Sequence, residues 1–75
     1  MPRIVPLHWR KVEKAILHFG GKCVGQEGSH RKYWKQGLTR PIIVPIHCKK
    51  DIPKFIIGQI IRTLGLTIEE FYRHT

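Results

Sequence analysis

Apolar positions recur along this chain with two different periods, and the changes of period mark the elements. Trp9, Val12, Ile16 and Phe19 stand three or four apart, with Arg10, Lys11, Lys14 and His18 between them. That is the spacing of a helix with one buried stripe. It predicts a first helix from about His8 to Phe19, ended by Gly20-Gly21 as glycine ends helices. Its start carries no Ser, Thr, Asp or Asn at a cap position. Lys22 to Glu27 is a short strand candidate, weakened by Gly25, which has no side chain to pack. Gly28-Ser29 reads as a turn, and His30 to Lys35 as a second strand that is basic and aromatic at once. Gln36-Gly37-Leu38 is a further turn. From Thr39 to His47 the period becomes two, with Ile42, Val44 and Ile46 on one side. Pro41 and Pro45 cannot donate to a ladder, which predicts an edge strand.

A helical period returns in Ile57, Ile60, Ile61 and Leu64, introduced by Asp51 and Pro53 and stopped by Gly65. Thr67-Ile68-Glu69-Glu70 is a capping box, and Leu66 and Phe71 stand where a hydrophobic staple needs them. A short last helix from Ile68 to about Arg73 follows. The predicted order is helix, three strands joined by short links, helix, short helix. This is an α+β fold with an antiparallel meander and helices on one face of the sheet. An α-β-β-β-α order is the one double-stranded-RNA-binding domains use; here it carries a short extra C-terminal helix. No repeat, linker or low-complexity tract interrupts residues 1–75, so a single domain is expected.

Composition sharpens the functional side. Of 75 residues, 14 are Lys or Arg and 5 are Asp or Glu, a formal charge of +9. So small a body buries only about 60% of its unfolded surface, which argues against an enclosed substrate pocket or a dinucleotide-binding sheet. The basic residues are spread along the chain, and the partner they favour is a polyanion, nucleic acid first. The aliphatic runs, Ile42–Ile46 and Phe55–Ile61, fall short of the ~20 residues of a membrane span. No apolar signal stretch follows Met1. Two cysteines, Cys23 and Cys48, are too few for a disulfide framework and fit reduced thiols in a cytoplasmic protein. They read as small packing residues. No zinc spacing, P-loop or nucleophile elbow occurs, so neither metal nor cofactor is expected. Glu69-Glu70 is the one adjacent carboxylate pair, and helical geometry turns its members to different faces. Those glutamates would also face DNA phosphates badly, which counts against reading the last two helices as a helix-turn-helix.

Of the five histidines, His8, His18 and His74 fall on helix surfaces, and His47 reads as structural. His30 differs, because it follows the Gly28-Ser29 turn and opens the strand of Arg31, Lys32, Tyr33, Trp34 and Lys35. Imidazole moves protons near neutral pH, and neighbouring cations stabilise charge on a reacting phosphodiester. Nearby aromatics can stack an unpaired base. Spacing alone favours an exposed histidine in a basic binding strand over a catalytic one.

The ordered set Gly28-Ser29-His30, Val44-Pro45-Ile46-His47, Lys50-Asp51-Ile52 and Gly65-Leu66-Thr67-Ile68-Glu69-Glu70-Phe71 resembles the HicA-type mRNA interferase toxins, the YcfA-like proteins. The resemblance covers nearly the whole chain. It implies a double-stranded-RNA-binding-like fold, a ribosome-independent endoribonuclease acting on mRNA, His30 as the catalytic residue, and a HicB-type antitoxin that covers the active site. With it, Lys22, Gly28, Ser29, Arg31, Lys32, Tyr33 and Lys35 are expected to contact single-stranded RNA. Two departures stand out. The family's Gly-Phe after the first helix is Gly20-Gly21 here, so the core aromatic is expected to enter as Phe19 from the helix end. The family's Lys-Pro-Gly-Thr is replaced by Pro53-Lys54-Phe55-Ile56, which raises surface hydrophobicity. Two functions follow for testing: a toxin that cuts RNA without metal, or a binding module that uses the same surface without cutting.

Overall fold

A computed structural model describes residues 3–46 and 49–75. The readings of His47 as structural and Cys48 as filler lie outside the described residues. The elements run α1 (Trp9–His18), β1 (Lys22–Glu27), β2 (His30–Trp34), β3 (Ile42–Pro45), α2 (Lys54–Leu64) and α3 (Ile68–Tyr72). The strands form one antiparallel sheet in the order β1-β2-β3. This is the α-β-β-β-α order with an extra C-terminal helix.

α1 begins without any of the usual caps because a histidine substitutes for one. The Arg10 N–H donates to His8 Nδ1 at 3.2 Å. At the other end Gly20 takes φ 95°. The Gly20 N–H donates to Leu17 O and the Gly21 N–H to Ile16 O, a Schellman closure. Gly21 is held to glycine by space, since a Cβ there would stand 2.5 Å from Ile16 Cγ2. The same paired bonds, Gly65 to Arg62 and Leu66 to Ile61, close α2. Thr67 and Glu70 make the capping box in both directions.

The core lies between the helices and one face of the sheet. α1 contributes Val12, Ala15 and Ile16, α2 contributes Ile57, Ile60, Ile61 and Leu64, and α3 contributes Phe71; the sheet adds Tyr33, Ile42 and Val44. The expected stripe of α2 is therefore buried in full. That of α1 is shorter than expected, with its end members Trp9 and Phe19 only half-buried. Ala15 is buried, whereas Phe19 is half-buried and packs edge-on against His18 and His74. The expected core aromatic at Phe19 is thus corrected. The helix ends before Phe19 can turn inward, and the aromatics of the core are Tyr33 and Phe71.

The N-terminal segment joins this core in a way the pattern did not announce. Leu7 and Ile52 form an isolated antiparallel bridge, and Tyr72 Oη accepts from the Val5 N–H at 2.9 Å and donates to its carbonyl at 2.6 Å.

β3 is an edge strand, as its prolines require. The Ile46 N–H donates to Ser29 O. With the register Arg31↔Val44 and Tyr33↔Ile42, bonds to β2 then alternate onto Val44 and Ile42. Pro45 falls at the outward position, where its missing N–H costs no ladder bond.

Candidate functional site

Strand alternation sorts the expected site residues onto two faces. Tyr33 is wholly buried and lies on the helix side with Ile42 and Val44. Side chains two apart on a strand share a face and direct cross-strand partners do likewise, so Arg31 and Cys23 are on that side too. His30, Lys32 and Trp34 take the other, open side. Across from them stand Glu27, Gly25 and Lys22 on β1, and Pro45 and Ile43 on β3.

His30 owes its place to the turn before it. Glu27 pairs with His30 across Gly28-Ser29. Gly28 has φ 60°, and Ser29 has no positive φ. A two-residue hairpin of this kind wants glycine at its first central position. The Ser29 carbonyl takes the Ile46 N–H at 2.6 Å, and the Gly28 carbonyl takes Gln26 Nε2 at 3.0 Å. Gly28 and Ser29 therefore shape and anchor the corner from which His30 enters the open face, and His30 itself is exposed. It stands directly opposite Glu27 and two places from Lys32, so a carboxylate and an ammonium flank the imidazole. Lys32 Nζ is 3.4 Å from Glu27 Oε2, with the two side chains 42% and 81% exposed. An ion pair so wet contributes little to stability and exchanges readily with a phosphate.

The helix side is built differently. Arg31 Nη1 lies 3.2 Å from Glu13 Oε2, with side chains 25% and 23% exposed. The guanidinium also lies over the Trp9 ring at 5.4 Å and the Tyr33 ring at 5.8 Å. Tyr33 Oη donates to the same Glu13 carboxylate. Burial, and then that bond, push the Tyr33 hydroxyl above its ordinary range. Arg31 Nη2 donates to Cys23 Sγ at 3.3 Å, which holds the exposed thiol below its usual range.

Two of the expected contact residues lie away from the His30 face. Tyr33 has no surface to offer RNA and is excluded as a proton carrier beside His30, because it is a core residue on the opposite face. Arg31 is engaged by Glu13, Trp9 and Cys23 on the helix side. Lys22, Gly28, Ser29 and Lys32 lie with His30 on the open face or at its hairpin corner. Lys35 follows β2 and opens the turn in which the Leu38 N–H donates to its carbonyl. Trp34, named with the aromatics of this strand but not among the expected RNA contacts, also lies on the open face, as its even spacing from His30 requires.

Among the described residues no three His, Cys, Asp or Glu side chains gather as metal ligands, and no helix is long and apolar enough to cross a membrane. The face around His30 is an open surface with unlike charges and an exposed apolar side chain, Ile43. It suits a polymer laid across it better than a small molecule enclosed within it.

The family model for the HicA toxin of bacterial toxin-antitoxin systems matches residues 9–66, which include the whole sheet and α2. The chain belongs to the HicA toxin family. No curated protein matches it in sequence.

Proposed function

We propose that this HicA-family protein is a cytoplasmic mRNA interferase, a metal- and ribosome-independent endoribonuclease in which His30 is the general acid or base. The observation that carries this reading is the exposed His30 at the Gly28-Ser29 hairpin corner, flanked by Glu27 and Lys32 on the face the helices leave open. Membership of a toxin family supports it. The ribose 2′-oxygen loses its proton and bonds to the adjacent phosphorus. The bond to the 5′-oxygen breaks and that oxygen takes up a proton. The products are a 2′,3′-cyclic phosphate and a 5′-hydroxyl. His30 carries one of the two protons. Glu27 and Lys32 stand nearest to carry the other or to steady the charge on phosphorus. Lys22 and Lys32 hold the RNA backbone.

A toxin needs restraint, and a partner of the HicB type with an acidic surface matches a chain of charge +9. Covering the open face would silence His30.

The test is end-labelled single-stranded RNA incubated in EDTA with wild type and with His30→Ala. Wild type is expected to yield fragments ending in cyclic phosphate. His30→Ala is expected to lose about 100-fold or more in rate with an unchanged thermal midpoint, because His30 is exposed. Cutting retained by a clean His30→Ala preparation removes His30 from the mechanism. Intact RNA in every lane together with a gel shift leaves a binding module of the same fold.

A further inference from the structure

The open face carries an aromatic ring that neither the core nor the proton chemistry uses. Trp34 is half-buried at the end of β2. The large apolar side chains packed beside the core include Trp9, Leu38 and Tyr72 but not Trp34, in keeping with its place on the sheet's other side. It pairs across the ladder with Lys22. Between it and His30 on the same face lie Lys32 and, opposite Lys32, Gly25. A Cβ built on Gly25 would meet nothing within 4 Å, so the sheet is bare there. The register slips between Cys23 and Gly25, which leaves Val24 unpaired and 53% exposed. On the other flank Ile43, 41% exposed, pairs with Lys32. The result is a shallow floor with Lys32 at its middle, Trp34 and Lys22 at one end, and His30 and Glu27 at the other.

We infer that Trp34 and Lys22 form a nucleobase subsite, in which the indole stacks on an unpaired base and Lys22 meets its phosphate, separate from the scissile position at His30. Four strand residues span about 13 Å, so the stacked base is a few nucleotides from the cut along an extended strand. Base stacking on an aromatic ring needs a bare π-face and tolerates any base. Such a site therefore fixes the distance to the cut and selects single strands over duplexes, whose bases are already stacked. RNA is favoured over a protein partner because Lys22 stands beside Trp34 and Lys32 lies between Trp34 and His30, so cations follow the path of an extended strand across the face. This inference rests on the proposed ribonuclease reading for its link to cleavage, whereas its binding half stands separately.

The experiment uses the His30→Ala background with Trp9→Phe, so that Trp34 is the one fluorescent indole. Oligouridylate is titrated in, alongside versions carrying a single abasic site at successive positions. Quenching of Trp34 is expected, with one abasic position weakening binding by about 10-fold. Read by gel shift, since no indole remains in them, Trp34→Ala should weaken the parent oligomer by the same factor and erase the abasic effect, and Trp34→Phe should restore most of both. Thermal melts of Trp34→Ala and Trp34→Phe separate this from a packing role, which would lower stability without position dependence. In cleavage assays with His30 present, Trp34→Ala should raise KM more than it lowers kcat. If wild type cuts RNA and Trp34→Ala binds and cuts equally well, the subsite is overturned and the floor is left to a protein partner. If nothing is cut but quenching and the abasic effect remain, the ribonuclease reading fails and the subsite stands.

Discussion

The two faces of β2 differ in what their charges do. On the helix side, Arg31 is fixed by Glu13, and Tyr33 donates to the same carboxylate from the core. On the open side, Lys32 meets Glu27 in a pair that is largely solvated. Both are cation–carboxylate contacts of similar length, 3.2 and 3.4 Å. Exposure decides their roles. A pair shielded by Trp9 and Tyr33 keeps its partner and ties α1 to the strand. A pair in water can give up its lysine to a phosphate at little cost. Adjacent basic residues in one strand thus divide between holding the sheet to the helices and meeting a ligand.

The largest effect should come from breaking the buried side. Tyr33→Ala is expected to cost about 3–5 kcal/mol, a large share of the ~5–15 kcal/mol that stabilises a domain. Chemical denaturation would measure it. Tyr33→Phe keeps the ring and removes only the bond to Glu13, for about 1–2 kcal/mol and a thermal midpoint several degrees lower. RNA affinity of the folded Tyr33→Phe protein should not change. An unchanged melting point with weakened RNA binding would erase the distinction between the faces.

Smaller effects sharpen the comparison between neighbours. Lys32→Ala should weaken RNA binding and reduce the slope of log affinity against log salt by about 0.7 to 1, with melting unaffected. Arg31→Ala should do the opposite, lowering the melting temperature and leaving the salt slope alone. Binding isotherms at several salt concentrations, set beside melting curves, read both. Equal loss of slope in the two variants would mean that Arg31 leaves Glu13 to reach the RNA.

Much of this architecture is legible before any coordinate. The stripe of α2, the capping box and the edge position of β3 each follow from local rules: helical period, a reciprocal side-chain cap, and the missing N–H of proline. What escapes is whatever depends on contact across the chain. The Leu7–Ile52 bridge and the grip of Tyr72 on Val5 join segments far apart in sequence. Phe19 drops out of the stripe because helix α1 stops at His18. The site divides the same way. Gly28-Ser29 before His30 reads directly as a turn presenting a side chain. The basic run after it looks uniform until alternation, fixed by the burial of Tyr33, separates Arg31 from Lys32 and brings Trp34 to the open side.

The smallest expected effect lies at the far end of the helical layer, and it bears on how the open face is titrated. His18 and His74 stack with ring centroids 3.5 Å apart, and Phe19 meets both edge-on. Burial holds the His74 imidazole below its ordinary value, and the nearby charges of His18, Arg73 and Lys14 press the same way. In the unfolded chain His74 takes up a proton near its ordinary pKa of 6.5, whereas in the folded chain it does so only at lower pH. Below about pH 6.5 the unfolded chain therefore binds more protons, and stability falls as pH falls; above that value the contribution is complete. Melting temperatures from pH 8 to 5 should decline in wild type below 6.5 and decline less in His74→Gln, which keeps a planar polar group without the charge. Parallel curves would show that the stack carries no proton linkage. In the flattened His74→Gln background, a pH–rate profile for RNA cleavage reports the open face alone, and any inflection that His30→Ala removes belongs to His30 rather than to loss of folded protein.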